Sequence, residues 1–477
     1  MRIFDTNVQK IKYEVLKEVI RNKYENIYLN EYYDIPRTIA PGPKALSRCC
    51  IFKERAVLEE YIKLSNGGNI EIDNVIEVIS IACDECPAGG ILVTPACRGC
   101  IVHNCKEVCP RGAIEIVDGK SRVDKSKCIE CGKCVTACPY NALIMQHRPC
   151  KQACPVNAIS VDENDITKID QTKCISCGSC VYKCPFGAIS DKSYINETID
   201  ILKKSNNNTN YKVYAVIAPS IYSQFKYAKA ESVVSGIRQL GFHDVIEAAL
   251  GADVALDHET DEWLEKKTLI TSCCPAFVSY VEKNFPELVK YVSSAPSPMV
   301  VTAKFIKSMD KTAKVVFIGP CTAKKLEYKL EKTSNLIDSV FSFEELQAFL
   351  DARRINVESL SENPLNNASY YGRIFAKSGG ISQGISHVAE RKGITGLKPL
   401  VMNGLNECKI GLTKLKFNKC EENFFEGMAC IGGCINGALC LNHTDKNAID
   451  IEKYGQQAKE TEIDNSIRLY NLATSKK

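Results

Sequence analysis

Sixteen of the 26 cysteines in this 477-residue chain lie between Cys83 and Cys184, and eight more are scattered over residues 273–477. That clustering constrains the fold more than any other feature. Disulfide frameworks belong to small secreted chains. This chain is long, and its first twenty residues are charged throughout and lack the apolar stretch of a secretory signal. Metal binding or redox chemistry in a cytoplasmic setting is therefore expected. The remaining composition, 45% hydrophobic and 25% charged, is that of a soluble protein of about three domains. A balance of 61 basic against 57 acidic residues argues against a nucleic-acid partner. No apolar run approaches the ~18 residues of a membrane helix.

Within the cysteine-rich front a Cys-Pro pair followed by a turn and a short apolar stretch occurs four times, at Cys109, Cys138, Cys154 and Cys184. The second pair of repeats follows the first by 45–46 residues, which marks a tandem duplication of a two-repeat unit. Two repeats carry the full run C-x2-C-x2-C-x3-C-P: Cys128, Cys131, Cys134, Cys138 and Cys174, Cys177, Cys180, Cys184. The run resembles the bacterial two-cluster ferredoxins, in which three thiolates of a run hold one 4Fe–4S cubane and the fourth reaches the neighbouring one. A zinc ribbon also uses C-x2-C pairs, but it gives no reason for a fourth Cys-Pro.

The resemblance implies a first module in which Cys97, Cys100 and Cys105 pair with Cys138, and Cys128, Cys131 and Cys134 with Cys109. His103 falls in the widened gap before Cys105 and is read as a bystander. In the second module Cys174, Cys177 and Cys180 pair with Cys154. Cys150 and Cys184 are left, and the upstream Cys83 and Cys86 complete their set, unless that pair serves a separate zinc or structural role. Expected boundaries are a helical region of unknown role at 1–80, the two modules at 81–149 and 150–202, a rear domain at 211–440 and a polar helical tail at 441–477. Cys49, Cys50, Cys408, Cys420 and Cys440 have no matched role.

Beyond the polar stretch KKSNNNTN (residues 203–210), short β-branched runs ending in Pro or Cys loops alternate with helical stretches. That alternation predicts an α/β domain with a largely parallel sheet, where ligands bind at the carboxyl ends of strands. Few buried contacts are expected to cross the polar stretch, so a chain beginning near residue 205 is expected to fold alone.

Three segments of the rear domain carry chemistry: TSCCPAF, GPCTAKKLE and FFEGMACIGGCINGA. Together they resemble the signature motifs of the iron-only (FeFe) hydrogenases. Ala276-Phe277, Gly319 and the Asn-Gly-Ala after Cys434 depart from the best-studied clade and look like the group B branch. The resemblance implies an H-cluster whose cubane is held by Cys274, Cys321, Cys430 and Cys434. Cys434 is expected to bridge it to a diiron unit carrying CO, cyanide and a dithiolate amine. It further implies that Lys324 hydrogen-bonds a cyanide, that Ser220, Pro298 and Met428 line the pocket, and that Cys273 passes protons to Glu259, Ser293 and Glu262. A thiol suits that task if its pKa is tuned near neutrality.

The function so implied is reversible reduction of protons to hydrogen. Up to four accessory 4Fe–4S clusters would carry electrons to or from ferredoxin or a similar one-electron carrier, and dedicated maturation proteins would supply the diiron unit. The alternative is a hydrogenase-like iron–sulfur assembly or electron-transfer protein without that unit. No nucleotide or dinucleotide motif is present.

Overall fold

The computed structural model describes residues 4–83, 86–87, 89–460 and 462–475. Three helices open the chain, Asn7–Glu25, Glu31–Ile39 and Ile51–Ser65. The first is capped by the Thr6 side chain, which accepts from Gln9 N, and it ends on Asn26 in the left-handed region. Its apolar residues face two ways. Val15 and Val19 pack with Ile35, Val57, Leu58 and Cys83, whereas Tyr13, Leu16 and Ile20 enter the core of the rear domain.

The cysteine-rich front consists of two α+β ferredoxin-like modules. In the first, strand Gly90–Val93 pairs antiparallel with Leu143–Gln146, and Ile114–Val117 forms a hairpin with Lys120–Val123. In the second, Ile159–Val161 pairs with Thr167–Ile169, and Ile189–Asp191 takes Ile76–Val78 as its partner. The chain thus begins the second module before it enters the first.

Each Cys-Pro repeat folds into the same turn. The sulfurs of Cys109, Cys138, Cys154 and Cys184 accept hydrogen bonds from the amides of Ala113, Ala142, Ala158 and Ala188, at 3.2–3.4 Å. Closing so tight a turn drives the third residue after the cysteine to positive φ. That position is Gly112, Asn141, Asn157 and Gly187 in turn, at 50–62°. Glycine and asparagine are the residues that tolerate this region.

The rear domain holds two parallel sheets flanked by helices. The first has the order Asp244–Glu247, Val213–Ile217, Lys314–Gly319, Ser339–Ser342, and the second Leu269–Ile270, Phe424–Met428, Pro399–Asn403. Strands Val213–Ile217, Lys314–Gly319 and Phe424–Met428 are buried on both faces, as sheets covered by helices require, whereas the edge strand Pro399–Asn403 is partly exposed.

The stretch at 203–210 is not a hinge. Asn206, Asn207 and Asn208 are locked in left-handed turns, and the Asn208 side chain donates to Gly241 O and accepts from Val213 N. The helix before it, Ile195–Lys204, buries Ile195, Ile199 and Leu202 in the same core as the parallel sheet. The expectation of few buried contacts across this point is therefore not met. Polar composition marked a turn, and it was silent about the apolar face of the helix leading into it.

A buried charge cluster ties the same parts together. Lys325 lies 2.7 Å from both Asp191, at the end of the second module, and Glu345. Lys12 of the first helix bridges Asp191 and Glu344. Removing Lys12 or Lys325 would leave a buried carboxylate, Glu344 or Glu345, without its cation.

Candidate active site and cluster sites

Four strands of the rear domain end in the loops that build the site. Val213–Ile217 leads into Ala218-Pro219-Ser220, Leu269–Ile270 into Cys273-Cys274, Lys314–Gly319 into Pro320-Cys321, and Phe424–Met428 into Cys430 and Cys434. Cys274 and Cys321 each stand at the N-cap of the following helix. Gly432 and Gly433, at φ 86° and 91°, carry the last loop around. A Cβ on Gly433 would lie 2.7 Å from Ala376 O.

Cys274, Cys321, Cys430 and Cys434 are brought together. Burial first, and then the neighbouring thiols, push Cys321 and Cys434 up to about 12, and push Cys430 well up too. Four adjacent thiols, three of which resist ionisation as a bare set, suit a metal centre that takes up thiolates. Beside them lies a cavity of about 80 Å³, lined by Cys273, Pro298, Lys324, Phe375, Met428 and Phe317 among others. Phe317 and Phe375 were not singled out from sequence. Phe317 has its place because residue 319 is glycine, where a Cβ would stand 2.6 Å from the Phe317 ring. Ser220 does not line the cavity; its neighbours Ala218 and Pro219 do. The Ser220 hydroxyl is buried with no partner among the described residues, an orphan donor that fits an acceptor group not made of protein.

Lys324 Nζ donates to Glu327 at 2.6 Å and to Cys273 O at 3.3 Å. Burial lowers the lysine, but Glu327, Cys321 and Cys273 more than offset it, so it remains an ammonium. Glu259 and Glu262 sit on helix Ala248–Lys266. Burial pushes Glu259 up to about 8; its Oε1 accepts from Ser272 N at 3.4 Å and its Oε2 has no partner among the described residues. Ser293 Oγ donates to Glu262 Oε2 at 2.9 Å, and Lys266 lies 2.8 Å from Glu262 Oε1. Burial raises Glu262, but the hydrogen bonds from Lys266, Ser293 and Ser294 outweigh it and hold the carboxyl low. Two carboxyls on one helix thus differ in protonation. Cys273 departs from expectation: burial and then Glu259 push its thiol well up, away from neutrality.

In the front, Cys109, Cys128, Cys131 and Cys134 line one small cavity of about 20 Å³. Cys97 Sγ accepts from Ser121 N, and Cys105 Sγ lies 3.2 Å from Ser121 Oγ, which joins those two; Cys138 packs in the same core, and Cys100 is half-buried. His103 stands in the left-handed region before a short helical turn. Cys180 is pushed up by burial and then by Cys177, Cys174 and Cys154. Cys86 is raised by burial, opposed by Arg148, and raised further by its neighbours Cys150, Cys83 and Cys184. Among the described residues no group of three or more His, Cys, Asp or Glu is arranged to hold a single metal ion, and no helix is long and apolar enough to cross a membrane.

The second module meets the site directly. Thr322, next to Cys321, donates to Ser176 O at 2.6 Å, and Lys283 donates to Cys174 O at 2.6 Å. Cys177 and Cys430 share the wall of one cleft of about 440 Å³.

Residues 211–438 match the family described as "Iron only hydrogenase large subunit, C-terminal domain", and residues 121–144 and 167–190 match the 4Fe-4S binding domain. The chain is 30% identical to Iron hydrogenase 1 of Clostridium pasteurianum over 410 residues, 73% of this chain and 70% of that protein. It is 25% identical over 267 residues to a cytosolic Fe-S cluster assembly factor of Danio rerio, 44% of this chain and 65% of that one. A solved FeFe-hydrogenase from Chlamydomonas reinhardtii aligns with 58% of this chain and 93% of its own at 20% identity, with a TM-score of 0.46.

Proposed function

The chain belongs to the iron-only hydrogenase family and carries 4Fe–4S sites, and from that premise we propose that it interconverts protons and molecular hydrogen. The observation that carries this reading is the apolar cavity beside the four thiols Cys274, Cys321, Cys430 and Cys434, with an ammonium on one wall and a chain of acids behind another. A diiron unit seated there would supply the electron-rich metals at which protons and electrons combine. Cys434 would hold it to the cubane, and Lys324 would donate to a cyanide. Met428, Pro298 and Phe317 exclude water.

Cys273, a neutral thiol, would pass protons to and from Glu259, which holds its own below about 8. From there Ser293 leads to Glu262, which is buried and pairs with the half-exposed Lys266. Electrons would arrive from ferredoxin or a similar one-electron carrier through the modules, and dedicated maturation proteins would install the diiron unit.

The assembly-factor relatives favour a second reading, in which the fold carries clusters without the diiron unit. Such a role calls for neither the cavity nor the acids behind Cys273. Infrared spectroscopy of matured protein separates the two: CO and cyanide bands are expected, and their absence from protein with a full complement of cubanes would leave the assembly reading. Five cubanes and a diiron unit correspond to about 22 irons. Analysis near 14 would remove the second-module assignment.

A further inference from the structure

Arg148 is 2% exposed, and its guanidinium has no carboxylate partner among the described residues. Nε donates to Pro87 O at 3.2 Å, and Nη2 to Cys86 O and Asp165 O at 3.4 and 2.6 Å. Nη1 donates to Thr167 Oγ1 at 3.3 Å and reaches Cys83 Sγ at 3.6 Å. The other deeply buried cations among the described residues, Lys12, Lys192, Lys325 and Arg373, all rest on carboxylates. A buried guanidinium without a counter-charge is strongly unfavourable. Among the described residues, the groups beside Arg148 that can become anionic are the thiols of Cys83 and Cys86, and Cys86 in turn lies near Cys150 and Cys184. Thr167 points the same way. Its amide donates to Cys83 Sγ at 3.3 Å, and its hydroxyl lies 3.2 Å from that sulfur and 3.9 Å from Cys150 Sγ.

We propose that Arg148 is the internal counter-charge of a fourth accessory 4Fe–4S site made by Cys83, Cys86, Cys150 and Cys184, and that it holds this site at a raised reduction potential. The proposal rests on the reading of the front as cluster modules. Reduction of the site adds one electron from the reduced carrier, which is itself oxidised, with no proton or covalent bond exchanged. The added negative charge falls next to a fixed positive one in a poorly solvated place, where the attraction is strong. Net charge and hydrogen bonds to the sulfurs are the levers that set such potentials. Arg148 is thus a positioning and tuning residue, apart from the hydrogen chemistry.

The test is an anaerobic redox titration followed by electron paramagnetic resonance, on the full-length holoprotein and on Arg148→Gln and Arg148→Lys. Arg148→Gln is expected to keep its iron and to move one accessory signal to lower potential. At a fixed potential its reduced-to-oxidised ratio should fall about tenfold, equivalent to about 59 mV for one electron. Arg148→Lys, which keeps the charge, should stay close to the parent. All accessory signals of a fully loaded Arg148→Gln at parental positions would overturn the proposal, as would an equal shift in Arg148→Lys. Should Arg148→Gln lose four irons, Arg148→Lys decides: a retained site at the parental potential supports the charge role, and loss there rejects it. A parent protein with three accessory signals and about 18 irons would instead reject the cluster reading of Cys83 and Cys86.

Discussion

At the scale of single residues, the proposed function would divide the site between groups that hold metal and groups that move protons. Cys273 and Cys274 are adjacent in sequence, yet Cys274 lies with the three other thiols while Cys273 faces the cavity and Glu259. Cys273→Ala should keep the CO and cyanide bands and lower turnover by about 10²–10⁴-fold, the range for loss of a positioned proton carrier. Loss of the bands would make it a ligand. Glu259 gives a pH prediction with a definite sign. Burial raises its folded value to about 8, so at pH 7 it is protonated and above pH 8 it is carboxylate. A protonated-carboxyl infrared band present at pH 7 should fade through pH 8 and be missing from Glu259→Gln. A band that survives in Glu259→Gln assigns the proton elsewhere. The spacing of Glu259 and Glu262 was legible because three residues apart is one helix face. The pKa of Cys273 was not, since it depends on walls supplied by distant segments.

At the scale of elements, the four Cys-Pro turns were readable, because each is closed by its own next four residues and needs glycine or asparagine at one place. The alternation of strands and helices behind residue 211 was readable for the same reason of local pattern. Pairing between remote segments was not: nothing in Ile76–Val78 announces Ile189–Asp191 as its partner. The loop Cys174–Cys180 is another such case. Gly178 has φ 79°, and a Cβ there would stand 2.5 Å from Ala438 Cβ and 2.7 Å from Thr322 Oγ1. Gly178→Ala should therefore force the module loop off the rear domain. A destabilisation of about 1–3 kcal/mol is expected from such overpacking, seen as a lower thermal midpoint. An unchanged midpoint would mean that the two loops do not rely on this close approach.

At the scale of the whole molecule, one core runs from the first helix through the second module into the parallel sheet, and the first module has a separate small core of its own. The two invite opposite outcomes on cutting. A chain beginning at residue 205 loses Leu16, Ile20, Ile195, Ile199 and Asp191, one of the two carboxylates that hold Lys325, and it should be insoluble or fail to take up clusters. A chain in which residues 90–146 are replaced by a short Gly-Ser link should stay folded and lose about eight irons, two cubanes' worth. Iron analysis with thermal unfolding checks both. A well-folded, cluster-loaded chain from residue 205 would show that the shared core is dispensable.

Gly90 and Gln146 are cross-strand partners, so the chain enters and leaves the first module at neighbouring points. Topologically that module is a cassette dropped into a loop of its neighbour, the kind of place where inserted domains are tolerated. A genetic exchange confined to codons 90–146 would leave the acid chain, the cavity and the shared core untouched and would replace only this module. If electrons enter through it as proposed, preference for a carrier could diverge between lineages at a different pace from the chemistry. The same cut points would then let a foreign module be fitted without redesigning the interior.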